Sequence, residues 1–487
     1  MSDTRQKNIF VVGLEPFNLR LLQGVRNAEG YTFHALLSYA EIAASSRFDL
    51  AALLDKARRI LRGFPGEIDA IAGYWDFPTV LIMPILRREF RLRGPSLESV
   101  LRLEHKYWAR LRQHAVVPNE VPRFELVDPF DPDAAEKIGL AYSFWIKPIK
   151  AHSSLLGFRI AQRSDLDHAL AEIRRGIYRF AEPMEVIMGY ADLPAEIRAA
   201  DGAHCIAEEI ISDGRQCTLE GYVFEGEIEV YGIVDSIRGS NRSSLERYEY
   251  PSALPREVQA RMIASAKFVI ADAGLDDSPF NVEFFYHAAR DAISLLEVNA
   301  RISKSHSPLF DKVEGVPHKE VMLDVALGKR PDYPARRGAF HVAAKFMPRL
   351  YGRHDDWRVR HVPDPARLHE IEAQFPGSEV MLHVADGQRL GDMHHRDPYS
   401  YELAAVIMGY ADLPDEIRAV DGYHCIAEEI ISVGRQCTLE GYVFEGETKV
   451  YGIVDSIRGR NRSSLERYEY PTALPRRVQA RMISSAK

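Results

Sequence analysis

The stretch 280–307, FNVEFFYHAARDAISLLEVNARISKSHS, is the most informative in the chain. Two strand-like runs, Asn281–Tyr286 and Ile293–Val298, flank a polar turn centred on Arg290. A hairpin symmetric about Arg290 sets Glu283 opposite Glu297, with Cβ atoms about 4.5–5.5 Å apart. Ionised carboxylates that close repel, so one is protonated or a cation lies between them. Mg²⁺ (or Mn²⁺) suits that place, because Mg²⁺ takes one or two carboxylates and fills its other positions with phosphate oxygens and water. Period-two alternation puts Glu297, Asn299 and Arg301 on one face. Asn299 can then add an oxygen ligand, and Arg301 can neutralise phosphate. Leu295-Leu296 and Phe284-Phe285 make both strands look buried on both faces, where a carboxylate needs a partner.

Further cations lie upstream. Lys147 ends the hydrophobic run Phe144-Trp145-Ile146 and leads into a small-residue loop containing Ser153, Ser154 and Gly157. A strand, a lysine and such a loop can surround a phosphate with an ammonium and backbone N–H groups. The run 206–211, IAEEII, enters a turn at Asp213-Gly214 and reads as a sheet edge or as a hinge against a nucleotide base. Arg238 and Arg242, in a loop after a strand, can bind a substrate carboxylate bidentately. His306, five residues after Arg301, can line the same pocket or cap a turn, and the turn is the favoured reading.

These residues need elements to hold them. Asn8–Leu14 and Ile68–Tyr74 are short buried strands with helical sequence between them, an α/β opening of parallel character. Ser96 can cap a helix whose apolar stripe includes Leu97, Val100, Leu101, Trp108 and Leu111, with Lys106 on it. From Phe144 onward strands dominate, and Glu225-Gly226-Glu227 turns a hairpin between Thr218–Phe224 and Val230–Val234. Further strands are expected near His341–Phe346 and Val380–Val384.

In this order the segments resemble the ATP-grasp superfamily, in its carboxylate–amine ligase and biotin-carboxylase-like branch. The resemblance rests on EHK (104–106), WIKP (145–148), AEEII (207–211), TLEGYV (218–223), NVEFF (281–285) and LEVNARIS (296–303). It implies an α/β ATP-grasp fold, with a Rossmann-like domain over residues 1–95, an ATP-grasp domain over 96–315 and a C-terminal α+β segment over 316–405. It also implies that Lys106 and Lys147 contact ATP phosphates and that Glu208, Glu209 and Ile211 belong to the adenine hinge. Glu283, Glu297 and Asn299 are implied to hold Mg²⁺, with Arg301 facing the transferred phosphoryl group. Gln216 stands where relatives often carry a ribose-binding glutamate, which leaves Glu220 as the substitute. The implied activity is an ATP-dependent ligase that activates a carboxylate as an acyl phosphate and joins it to an amine. No biotin-acceptor Met-Lys-Met motif is present, so ligase is preferred over carboxylase, with a non-catalytic ATP-binding regulatory protein as the other alternative.

Residues 406–487 repeat 186–267 at a constant offset of 220, with ten differences among 82 positions. Near-identity over one partial block reads as a recent duplication rather than a solenoid. The second copy has no counterpart of Lys106, Lys147, Glu283, Glu297 or Asn299, so the expectation is a non-catalytic fragment that is either passive or docked on another subunit. The chain has 487 residues and a formal net charge of -8. That sign disfavours nucleic acid and anionic lipid as partners, and no apolar run approaches a membrane span. A cytoplasmic enzyme acting on small molecules, and capable of homo-oligomerisation, is expected. The four cysteines are too few and scattered for a zinc site or disulfide scaffold.

Overall fold

The computed structural model describes residues 5–42, 49–151, 155–239 and 241–410, together with the strands at 436–444, 447–458 and 465–469. The chain divides into two compact units, Met1–Ala419 and Val420–Lys487.

The first unit opens with a parallel three-stranded sheet. Lys7–Val12 lies between Tyr31–Leu36 and Ala70–Ala72. The central strand stops at Val12 because Gly13 takes φ +69°, a left-handed conformation that favours glycine. Tyr31–Leu36, a strand the sequence reading passed over, is only partly buried along most of its length and so lacks a strong apolar signature.

The Ser96-capped helix is not continuous. Leu97–Glu104 begins where Ser96 Oγ accepts from Ser99 N–H at 3.1 Å, and Lys106–Val116 is a second helix. The break is at His105, which is extended and buried. Its Nε2 lies 2.9 Å from the Ala200 carbonyl, and its Nδ1 accepts from Trp108 N–H at 3.2 Å. Lys106 therefore opens a helix, and its N–H donates to the Ile149 carbonyl at 3.1 Å, beside the strand bearing Lys147.

A four-stranded antiparallel sheet follows, ordered Phe124–Val127, Cys205–Glu209, Phe144–Pro148, Phe158–Ile160. Residues Leu166, Leu170 and Ile173 of helix Arg163–Gly176 close its apolar face. An eight-stranded sheet faces it across a cleft. Its order is Ala292–Asn299, Ser278–His287, Arg215–Phe224, Glu227–Arg238, Leu245–Tyr250, Val342–Phe346, Ala404–Tyr410, Glu379–Leu382. The expected C-terminal strands exist, but they extend this sheet. Its seventh strand also runs across the 405/406 boundary into the repeated block.

Within the second unit, Gln436–Phe444, Glu447–Arg458 and Leu465–Glu469 form a three-stranded antiparallel sheet. No described helix is long and apolar enough to cross a membrane.

Candidate active site

The hairpin around Arg290 forms with the anticipated pairing, Glu283 opposite Glu297, but a bulge is needed to achieve it. From the turn outward His287 pairs Ala292 and Phe284 pairs Leu295, a register that would set Glu283 against Leu296. Leu296 is left over as the extra residue, and the frame shifts by one. Arg110 holds the bulge: its guanidinium donates to the carbonyls of Leu295 at 3.2 Å and Leu296 at 2.7 Å.

The same buried Arg110 donates to Glu208 Oε1 at 2.5 Å, and the other Glu208 oxygen pairs with Lys147 Nζ at 2.5 Å. Glu208 is therefore turned inward from strand Cys205–Glu209, diagonal to Lys147 on one sheet face. Burial opposes its charge, but Arg110 and Lys147 prevail and draw its pKa down to about 2. One arginine thus fastens both Lys147, through Glu208, and the register of the carboxylate pair. Nothing in the sequence near either site signals it.

Glu283 carries the electrostatic cost of the pairing. Burial, and then the charge of Glu297, push Glu283 up to about 7. Gln216 donates to Glu283 at 2.8 Å and accepts from Arg238 Nε at 2.7 Å, while Arg238 also donates to the Ser243 carbonyl at 2.6 Å. The donor set, two facing carboxylates with an adjacent amide, fits a hard divalent cation. Lys106 Nζ lies 3.9 Å from Glu297 and donates to the Ala151 carbonyl at 3.3 Å. Asn299 is buried; its amide nitrogen donates to Asn281 Oδ1 at 3.0 Å, and its oxygen lies 3.4 Å from Arg301 Nη2.

Arg301 is anchored from the N-terminal sheet. Its Nη2 donates to Asp76 Oδ2 at 2.9 Å. Asp76 also receives Lys150 at 3.3 Å, and Lys150 pairs with Glu104 at 2.5 Å. Glu104 in turn accepts from Ala300 N–H at 3.2 Å. Burial opposes the charge on Lys150, but Glu104 and Asp76 outweigh it and raise its pKa. This network ties the loop after Ala70–Ala72 to the end of strand Ala292–Asn299.

Asp76, Lys106, Lys147, Glu208, Gln216, Arg238, Glu283, Glu297 and Arg301 line one cleft of about 650 Å³, which also includes Glu209, Ile210, Ile211, Arg242, Lys304 and His306. Asn299, Arg110, Glu104 and Lys150 lie behind its lining. Ser153 and Ser154 lie outside the described residues. Two expectations are corrected. Glu220 is wholly buried and does not line the cleft: its carboxylate lies 2.8 Å from His306 Nδ1 and accepts from Ser303 N–H at 3.3 Å, so it is not placed to meet a ribose. His306 lines the cleft and stands at the N-cap position of helix Ser307–Glu314, but its side chain makes the Glu220 contact instead of a cap hydrogen bond. Burial raises the Glu220 pKa and lowers that of His306 to about 3. A further group, His383, His395 and Glu402, brings ligand-type atoms within 4.8 Å of one another, with Arg349 donating to Glu402 at 3.1 Å.

Residues 140–308 match the ATP-grasp domain family. That stretch is an ATP-grasp domain. Solved structures share this ATP-grasp architecture. An L-amino acid ligase from Bacillus licheniformis is 16% identical with a TM-score of 0.63, covering 85% of this chain and 96% of that one. An N5-carboxyaminoimidazole synthetase from Staphylococcus aureus, complexed with ADP, is 12% identical with a TM-score of 0.57, covering 85% and 96%. A biotin carboxylase from Campylobacter jejuni is 15% identical with a TM-score of 0.54, covering 84% and 89%. No curated protein matches the sequence.

Proposed function

We propose that this ATP-grasp protein is a Mg²⁺-dependent ligase that converts a carboxylate into an acyl phosphate with ATP and joins it to an amine. The observation that carries the reading is the bulge-set pairing of Glu283 with Glu297, flanked by Lys106, Lys147 and Arg301 on one cleft. Glu283 and Glu297, with Asn299 beside them, would hold the cation, which supplies charge neutralisation for the phosphate oxygens. Lys106 and Lys147 bind the ATP phosphates, Lys147 being kept in place by Glu208. The Glu209–Ile211 hinge receives the base. Arg301, pulled toward Asp76, offers its remaining N–H groups to the γ-phosphoryl group and to the carboxylate that attacks it. Little covalent work falls to the protein, because phosphoryl transfer is accelerated mainly by positioning and charge stabilisation. The acyl phosphate must be kept from water until the amine displaces phosphate. A cleft roofed by one sheet and floored by another suits that need.

The test is ADP release from Mg-ATP against a panel of carboxylic acids, each with and without amines. Release that needs both components, and that falls by about 10³-fold in Glu297→Gln, is the expected result. Release that needs bicarbonate would replace ligation by carboxylation. Full activity in Glu297→Gln would remove the metal assignment.

A further inference from the structure

Most cations on the cleft already have partners. Lys147 has Glu208, Arg301 has Asp76, and Arg349 has Asp397 and Glu402. Three among the described residues have no acidic partner: Arg238, which is spent on Gln216 and the Ser243 carbonyl, Arg242, which is exposed to water, and Lys304, which is not. Lys304 is half-buried, and its ammonium rests 3.9 Å from the centroid of Trp75. No described carboxylate pairs with it, and no hydrogen bond reaches it. A desolvated ammonium without an anion is costly, and an aromatic face compensates only in part. Burial, reinforced by the charge of Lys345, brings its pKa down to about 8.

Its surroundings describe the missing partner. Lys304 stands three residues after Arg301, and both line the cleft. The wall beside it is aromatic: Tyr39 and Trp75 have ring centroids 4.8 Å apart, and Tyr39 meets His394 edge-on at 6.1 Å. Tyr39 and Trp75 follow the strands Tyr31–Leu36 and Ala70–Ala72, the two neighbours of the central parallel strand. In open α/β sheets ligands bind beyond the carboxyl ends of the strands, where the strand order reverses. The end of helix Pro16–Gln23 facing that region is already occupied, since Glu15 accepts from Phe17 and Asn18 N–H at 2.8 and 3.2 Å. A phosphate there would meet a carboxylate rather than free N–H groups. The anion left for this wall is a small one that Lys304 alone can satisfy.

We propose that Lys304 is a specificity-determining residue that binds the carboxylate of the amine substrate, so that the nucleophile is an amino acid or a short peptide rather than a simple amine. The inference rests on the ligase reading. The amine points toward Arg301 and the activated acid, the carboxylate draws the ammonium off Trp75, and the substrate side chain lies along Tyr39 and Trp75.

The experiment compares L-alanine and L-phenylalanine with their primary amides as nucleophiles, in wild type, Lys304→Gln and Lys304→Arg. Wild type is expected to prefer the acids. Lys304→Gln should raise KM for the acids by roughly 10–100-fold, leave KM for the amides in place and change kcat much less, and Lys304→Arg should restore part of the preference. A second readout needs no turnover: titrating either amino acid should change Trp75 emission in wild type and in Glu297→Gln, but not in Lys304→Gln. ADP release with equal use of acids and amides would overturn the Lys304 role and leave the ligase standing. An emission change without ADP release under any condition would do the reverse. If discrimination appears only when the acid component is converted to its monoamide, the anion belongs to the other substrate and the proposal fails.

Discussion

The pentapeptide VIMGY occurs at 186–190 and again at 406–410, and the two copies adopt opposite structures. The first closes helix Tyr178–Met188. There Ile187 and Met188 continue a buried stripe with Phe180, Ala181 and Met184, the spacing of one helix face. The second lies in strand Ala404–Tyr410 between Val342–Phe346 and Glu379–Leu382, where Ala405 and Ile407 are buried and Val406 and Met408 alternate with them. What precedes each copy and what it meets make the difference. A helix already running from Tyr178 carries the first copy onward. Two strand edges with free hydrogen-bonding groups capture the second, and an uncovered edge is a strong template. By contrast, the hairpin 215–238 and its copy 436–458 share the same register, including a bulge at Glu220/Gly221 and at Glu440/Gly441. One part of the repeat carries its structure with it, and the other takes its structure from its surroundings.

Truncation should give the largest effect. A chain ending at residue 405 loses the strand between two others, including the fully buried Ile407, and should lose about 4 kcal/mol or more of stability. A chain ending at Ala419 keeps that strand and should melt with the full-length first unit in calorimetry. Equal melting of the two truncations would mean that 406–410 adds nothing to the sheet.

Equivalent arginines come next. Arg238→Ala frees Gln216 and the cleft wall, and should lower kcat/KM for ADP release by about 10²-fold. Arg458→Ala, at the matching place in the second copy, should leave it within about twofold. A comparable loss from both would make the second copy part of the working site.

The same glycine substitution should then separate the two settings of VIMGY. A Cβ at Gly409 would lie 2.4 Å from the Phe340 ring, whereas at Gly189 the nearest atom is the Val186 carbonyl oxygen at 3.3 Å and φ is -65°. Gly409→Ala should cost about 1–3 kcal/mol, and Gly189→Ala should stay within about 1 kcal/mol. Chemical denaturation of the two variants checks this, and a larger cost at Gly189 would refute the strand–helix contrast.

The smallest effect is a pH dependence confined to the first copy's surroundings, because the second block has no carboxylate pair. Burial and Glu297 push Glu283 up to about 7, so a Mg²⁺ ion held there would have to displace its proton below that pH. Affinity should fall about fivefold from pH 7 to pH 6 and level off above about pH 8. Because the folded pKa lies above the ordinary 4.5, the folded state holds the proton more tightly than the unfolded chain. The metal-free protein should therefore lose stability as pH rises from about 4.5 through 7. Calorimetric Mg²⁺ titrations and melts in EDTA check both signs, and a chain ending at Ala419 should behave identically. A flat profile would place the cation elsewhere.

Much of the site was legible because its key residues are close in sequence. Glu283 and Glu297 face each other across a turn that can be counted, and Lys147 closes a strand visible from its apolar run. The rest was illegible because it depends on distant partners. Asp76 reaches Arg301 from another sheet, and Arg110 joins Glu208 to the bulge at Leu296. Glu104 and Lys150 look like ordinary surface charges until burial pairs them. Glu220 could be assigned to ribose only while its burial beside His306 was unknown.

Pattern alone determined the parallel opening sheet, the paired-carboxylate hairpin, the lysine strand and the repeat with its portable hairpin, since each depends on alternation, turn residues or contacts a few residues apart. Tertiary structure decided the register at Leu296, the inward turn of Glu208, the isolation of Lys304 on Trp75 and the two fates of VIMGY. Hydrogen-bond partners and burial for these come from segments tens to hundreds of residues away, and a local sequence compatible with two structures adopts the one whose partners are in reach.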